Sequence, residues 1–222
     1  MKIGLKVLWR CSLCTAPILF SSCGRGQNPS PASHISARPA MVRQRPAARD
    51  AIGATIVAAA RRQVGTSYTQ EYFSLAYPNG DPPRNVGACT DVVVRALRPA
   101  GYDLQKLMHQ DMKRHFNLYP RRYGLRRTDS NIDHRRVPNQ RVFFARFAQK
   151  LTTKVAQITL KAWQPGDIVY WKLDNDLDHV GIISDRRAAN GMPFLIHNLG
   201  GCREELVLTT WRIADHFRFP KR

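Results

Sequence analysis

Trp163-Gln164-Pro165-Gly166-Asp167-Ile168-Val169-Tyr170-Trp171 is where the character of the chain changes. Pro165-Gly166 punctuates a turn, and Ile168 to Trp171 is a short run of apolar and aromatic residues that predicts a buried strand. Two similar runs follow, His179 to Ser184 and Phe194 to Asn198, separated by the turn residues Ala188-Ala189-Asn190-Gly191. Leu206 to Leu208 and Phe217 to Phe219 are candidates for two further strands. Before Trp163 the spacing is helical. Asp50 can cap a helix in which Ile52, Ile56, Ala59 and Ala60 recur on one face, and Gly65 can close it. Cys89 opens a second apolar helix through Val92, Val93, Val94, Ala96 and Leu97, stopped by Pro99 and Gly101. Leu104, Leu107, Met108, Met112 and Phe116 line a third, and Phe143, Phe144 and Phe147 a fourth after Pro138-Asn139. Helices first and an antiparallel sheet afterwards is the pattern of an α+β domain.

The domain is expected over 50–222. Upstream, 23–49 carries Pro29, Pro31, Pro39 and Pro46 among Ser, Ala and Arg with no apolar period, which describes a solvated linker. At the start, Lys2, Lys6 and Arg10 precede the apolar run Cys11 to Phe20, too short to span a bilayer and suited to a signal-peptide core over 1–22. Leu19-Phe20-Ser21-Ser22-Cys23 resembles a bacterial lipobox, with Phe20 where Leu is usual, so Cys23 is the lipidation candidate. Export to the cell envelope, as a periplasmic or membrane-anchored lipoprotein, is the expectation. Cys11 and Cys14 would leave with the signal.

The 222 residues carry 35 Lys and Arg against 16 Asp and Glu, a net charge of +19. An anionic partner is therefore expected. The arginines are scattered and neither zinc-finger spacing nor an RNP-like signature appears, so nucleic acid is not expected. Peptidoglycan or another anionic envelope polymer, and a membrane reached through a lipid anchor, are the partners expected of a monomer.

Cys89 and Cys202 are the cysteines left beyond Cys23. In an oxidising compartment they suggest a disulfide; the competing reading is a catalytic thiol at Cys89 beside an incidental Cys202. A helix N-terminus favours a thiolate. A hairpin would bring His179 and His197 side by side at one edge, giving a base and a residue that orients it. Zinc held by Cys89, His179 and His197 is the alternative, and it lacks a fourth ligand at any recognisable spacing. Asp174-Asn175-Asp176-Leu177-Asp178 alternates carboxylates like a calcium loop but has His179 where Gly belongs and Asp185 where Glu belongs, so no metal and no cofactor is expected. In Asp133-His134-Arg135-Arg136, the arginines either hold an anionic substrate group or pair with Asp133.

Gly65-Thr66-Ser67-Tyr68, a Cys opening a helix, Trp163 to Trp171, His179-Val180-Gly181-Ile182-Ile183 and Ile196-His197-Asn198 follow the order of NlpC-type papain-like cysteine peptidases of bacterial cell walls. Cys89-Thr90-Asp91, Asn131 to Asn139 and Ile196-His197-Asn198 resemble more closely the domain of unknown function 1287 family, over essentially everything after the linker. The resemblance implies a papain-like NlpC-type fold with Cys89 as nucleophile, His179 as base and His197 as its orienting partner. It also implies Tyr68 near the oxyanion, with Asp91, Asn198, Arg135 and Arg136 as further oxyanion or substrate-binding candidates. The peptidase pattern Asp-Cys-Ser-Gly becomes Ala88-Cys89-Thr90-Asp91 here, so the Asp has crossed to the other side of the nucleophile. The function so implied is hydrolysis of an amide in peptidoglycan stem peptides through a thioester. A noncatalytic module binding wall polymer or a partner protein, and an acyltransferase or lipid hydrolase, are the alternatives. Leu104 to Asn139, with its seven arginines and two tyrosines, is expected to wall the cleft or to dock on an anionic membrane.

Overall fold

The computed structural model describes residues 46–121 and 124–221. The signal segment 1–22, the lipidation candidate Cys23, the linker up to residue 45, and Arg122 and Tyr123 lie outside the described residues. The first helix, α1, runs Pro46–Arg61 and so starts inside the expected linker. Proline suits a first helical turn, where its missing N–H would have had no intrahelical partner. Gly65 follows in a left-handed conformation (φ 93°), the turn expected of it. Two short parallel strands, β1 (Ser67–Tyr68) and β2 (Val86–Gly87), lead into α2 (Cys89–Leu97). Helix α3 is Leu104–Arg114, capped by Asp103, whose Oδ1 accepts from the Gln105 N–H at 3.1 Å. Helix α4 is Val137–Phe147; Pro138 lies in its first turn and opens the helix instead of breaking the chain before it.

The remaining strands are β3 (Gln149–Lys150), β4 (Ile168–Lys172), β5 (Asp178–Arg187), β6 (Pro193–Asn198), β7 (Cys202–Glu205) and β8 (Arg212–Arg218). They form one six-stranded antiparallel sheet in the order β3-β8-β4-β5-β6-β7. The expected strand at Leu206 to Leu208 is corrected: pairing with β6 is made by Cys202–Glu205. Leu208 instead turns inward, 1% exposed, and its carbonyl accepts the Trp171 Nε1–H at 3.1 Å. Burying a leucine and satisfying an indole outweighs two more ladder bonds at a sheet edge.

The sheet is covered on both faces, as the period-two alternation of its strands requires. On one face Ile168, Tyr170, Val180, Ile182, Ile196 and Phe217 meet the helices, which contribute Ile56, Val92, Val93, Leu97, Met108 and Phe144 among others. On the other face Val169, Trp171, Ile183 and Leu195 pack with Trp163 and Leu208. Each fully buried aliphatic side chain contributes about 1.5–3 kcal/mol relative to exposure. No helix among the described residues is long and apolar enough to cross a membrane.

Candidate active site

Helix α2 begins at Cys89 without a side-chain cap from Ala88, an alanine. Asp91 does that work from inside the first turn: its Oδ2 accepts the Ala88 N–H at 2.6 Å. The carboxylate is in turn clamped by Arg135, whose Nε reaches Oδ1 at 2.9 Å and whose Nη2 reaches Oδ2 at 3.0 Å. Both side chains are almost completely buried, 1% and 2% exposed. A buried bidentate pair of this kind is tolerable because each charge is matched and hydrogen-bonded. The remaining guanidinium nitrogen, Nη1, donates to the Glu71 carbonyl at 2.8 Å, and the Arg135 carbonyl accepts the Thr90 hydroxyl at 3.0 Å. Gln140 Nε2 donates to the His134 carbonyl at 2.8 Å and, at 3.3 Å, to that of Thr90; its Oε1 accepts the Tyr170 hydroxyl at 3.0 Å. The displaced Asp of the Ala88-Cys89-Thr90-Asp91 sequence is thus the part that orients the helix start.

That helix start is tied to one end of the sheet. Asn198, the last residue of β6, donates from Nδ2 to the Gly87 carbonyl at 2.9 Å and accepts the Gly201 N–H at 3.0 Å. Tyr68 pairs in register with Gly87 through the β1–β2 ladder, two residues from Cys89. Its hydroxyl accepts from Gln70 Nε2 at 2.6 Å, and burial, with help from a nearby Cys89 charge, raises its pKa. The Cys89 sulfur lies where the Val180 N–H acts on it. Val180 follows His179, so the thiol and the start of β5 are neighbours.

His179 and His197 occupy adjacent antiparallel strands, with Gly181 opposite His197, and His179 Nε2 is 2.9 Å from His197 Nδ1. A side chain at Gly181 would meet the His197 Cβ at 3.0 Å and the Trp171 ring at 3.2 Å, which is why glycine stands between the two imidazoles' strands. Trp171 stacks on His179 at 5.8 Å, and Trp211 meets both imidazoles edge-on at 5.8 and 6.0 Å. Strand alternation therefore sends both histidines to the Trp171 face, whereas the thiol packs with Val180 on the helix face.

The electrostatics of the thiol run against the expectation of a helix-stabilised thiolate. Burial, then the Asp91 charge, pushes Cys89 up to about 12, and the amides of Val180 and Thr90 offset this in part. His179 is pushed down to about 3 by burial and by the neighbouring His197, whose own pKa is lowered by burial. Thiol and imidazole both rest neutral at pH 7. Cys89 and Cys202 are both free, and Cys202, 2% exposed, is raised to about 12 by burial.

A family model described as a domain of unknown function, DUF1287, matches residues 57–219. The chain belongs to the DUF1287 family. It is 48% identical over 163 residues to a protein described as "Uncharacterized protein YijF" from Escherichia coli (strain K12), covering 72% of this chain and 78% of that one. No solved structure matches it. The DUF1287 match spans every candidate site residue from Tyr68 to His197.

Within this DUF1287 domain the site candidates divide. Asp91 and Arg135 are spent on each other, and Asn198 on the backbone of Gly87 and Gly201, so these three position the helix start and are not offered to a ligand. Arg136 precedes α4, where its charge offsets part of the burial that raises the pKa of Asp133. The acidic stretch 174–178 makes a tight β4–β5 turn in which Lys172 Nζ pairs with Asp178 at 3.0 Å. Among the described residues no group of three or more His, Cys, Asp or Glu is arranged to hold a metal ion. The stretch 104–139 supplies α3, the clamp Arg135 and the buried Tyr119, while Arg126 and Arg127 are exposed. Residues that sequence reasoning did not single out are Glu205, whose Oε1 lies 3.0 Å from His197 Nε2, Gln140 and Trp211. The pairing register would have found Glu205: Arg203 faces His197 and the glutamate lies two positions on, on the same face.

Two buried imidazoles give the DUF1287 domain an acid liability. His134 is 1% exposed with no hydrogen-bond partner for either ring nitrogen among the described residues, and burial pushes it down to about 4. Below pH 6.5 the unfolded chain binds protons that folded His134 and His179 refuse until about 4 and about 3, so stability falls as pH drops through that window. Asp133, pushed up to about 6 by burial, opposes the trend between about 6 and 3.8, while His197, also lowered by burial, adds to it. Denaturant midpoints measured from pH 7 to 4 are expected to fall, with a shallower slope in His134→Leu; a flat profile would contradict the assignment.

Proposed function

We propose that this protein is an exported cysteine hydrolase with a papain-like NlpC-type fold, cleaving an amide in peptidoglycan stem peptides. The observation that carries the reading is the 2.9 Å His179–His197 pair at the end of the sheet to which Asn198 ties the Cys89 helix start. Cys89 is the nucleophile, His179 the base and His197 its orienting partner. As the sulfur–carbon bond forms, the thiol proton passes to His179 and the carbonyl electron pair moves onto oxygen. Collapse breaks the C–N bond and His179 returns the proton to the leaving amine; water then hydrolyses the thioester. Because thiol and imidazole rest neutral, proton transfer accompanies attack. In this reading Tyr68 holds the oxyanion. The basic chain suits an anionic wall, and lipidation at Cys23 would hold it at the envelope membrane.

Digestion of purified peptidoglycan, with the products identified by mass spectrometry, is expected to release fragments cut within the stem peptide. Intact stems after prolonged incubation would sink the substrate assignment. The high Cys89 pKa and its burial favour a second reading, a noncatalytic module that binds wall polymer through the same cleft. Under that reading, a thiol-directed active-site probe leaves folded Cys89 unlabelled while the chain still sediments with peptidoglycan.

A further inference from the structure

The nitrogen of His197 that faces away from His179 is buried, and its surroundings are specific. His197 is 1% exposed, and its Nε2 lies 3.0 Å from Glu205 Oε1 but off the hydrogen-bond axis, with no other partner among the described residues. Glu205 is 41% exposed at the end of β7, the outermost strand on that side, so its carboxylate can turn into line at little cost. Its neighbour Glu204 points to the opposite face, where Arg61, Ser184 and Arg186 engage it. Of the two adjacent glutamates, one belongs to a surface ion network and the other to the buried histidine pair. Arg203, also of β7 and directly opposite His197, is the cation that opposes Glu205 there.

We propose that Glu205 is a positioning residue that fixes the tautomer of both histidines and so leaves His179 Nδ1 unprotonated to act on Cys89. The inference rests on the cysteine-hydrolase reading. A carboxylate only accepts, so His197 Nε2 carries the ring proton and donates to Glu205. His197 Nδ1 is then bare and accepts the Nε2–H of His179 across the 2.9 Å contact. With its proton on Nε2, His179 has its lone pair on Nδ1. Without Glu205 the pair can reverse: His197 Nδ1 donates to His179 Nε2, His179 carries its proton on Nδ1, and no lone pair is left for the thiol. Each ring holds one proton in both arrangements, so the switch moves protons within the pair and needs no other reactant. Trp171 and Trp211, which flank the rings, contribute no competing acceptor.

Nitrogen-15 NMR of the histidine-labelled full chain at pH 7.5 reads the tautomers directly. The expected wild-type result is a protonated Nε2 and bare Nδ1 on both His179 and His197. Glu205→Leu is expected to convert His197 partly or wholly to the Nδ1–H form and to slow Cys89 alkylation by iodoacetamide about tenfold. Glu205→Gln, whose amide oxygen still accepts, should keep most of the wild-type rate and tautomer. A wild-type His197 protonated on Nδ1, or tautomers unchanged in folded Glu205→Leu, would overturn the proposal. If the tautomers are as stated but His179→Ala alkylates at the wild-type rate, the hydrolase reading fails while the tautomer assignment stands.

Discussion

Asp91→Ala is expected to destabilise the fold by about 3–5 kcal/mol, since it strands the Arg135 guanidinium, 2% exposed, without a counter-charge. For a domain of this size that is a fall in Tm on the order of 10 °C. Two losses add up here: the buried pair, and the cap on the Ala88 N–H. Arg135→Ala should cost a comparable amount, because it leaves the Asp91 carboxylate buried and releases the Glu71 carbonyl. The double variant Asp91→Ala/Arg135→Leu is expected to lose clearly less than the sum of the singles, because no lone charge remains. Strict additivity in thermal melts would show that the two side chains do not act as a unit.

Cys89→Ser is expected to reduce hydrolysis by about 10³-fold or more while shifting stability by no more than about 1 kcal/mol. A serine hydroxyl is a far weaker acid than a thiol and its oxygen a poorer nucleophile, so attack with proton transfer to His179 costs much more. Cys202→Ser serves as the control: that thiol sits in β7 beyond Asn198 and should leave turnover unchanged. Equal activity in Cys89→Ser and the parent would exclude the thiol as nucleophile. Equal loss in both variants would point to misfolding, which the thermal melts would reveal.

Ile168 to Trp171, His179 to Ser184 and Phe194 to Asn198 were legible as strands because buried central strands read as continuous apolar runs between turn residues. Cys89 at a helix start was equally legible, since Val92, Val93, Val94, Ala96 and Leu97 follow it with Arg95 as the one polar residue among them. Leu206 to Leu208 misled for the same reason: an apolar triplet looks like a strand whether its backbone pairs or its one leucine plugs a core. The thiol misled in a different way. A helix N-terminus lowers a cysteine pKa, but the size of that effect is set by burial, which local sequence does not state. Arg135 carried no signal of its fate, as its partner lies 44 residues away.

Local pattern alone determined the α+β class, the helix-then-sheet order and the set of titratable side chains, because apolar periodicity and turn residues act over a few positions. Tertiary structure decided the rest: that Asp91 and Arg135 hold the helix start and not a ligand, that His179 and His197 bond to each other, and that Glu205 stands at the end of that pair. Those outcomes depend on strand register and on desolvation. Both arise only when segments distant in the chain exclude water from one another.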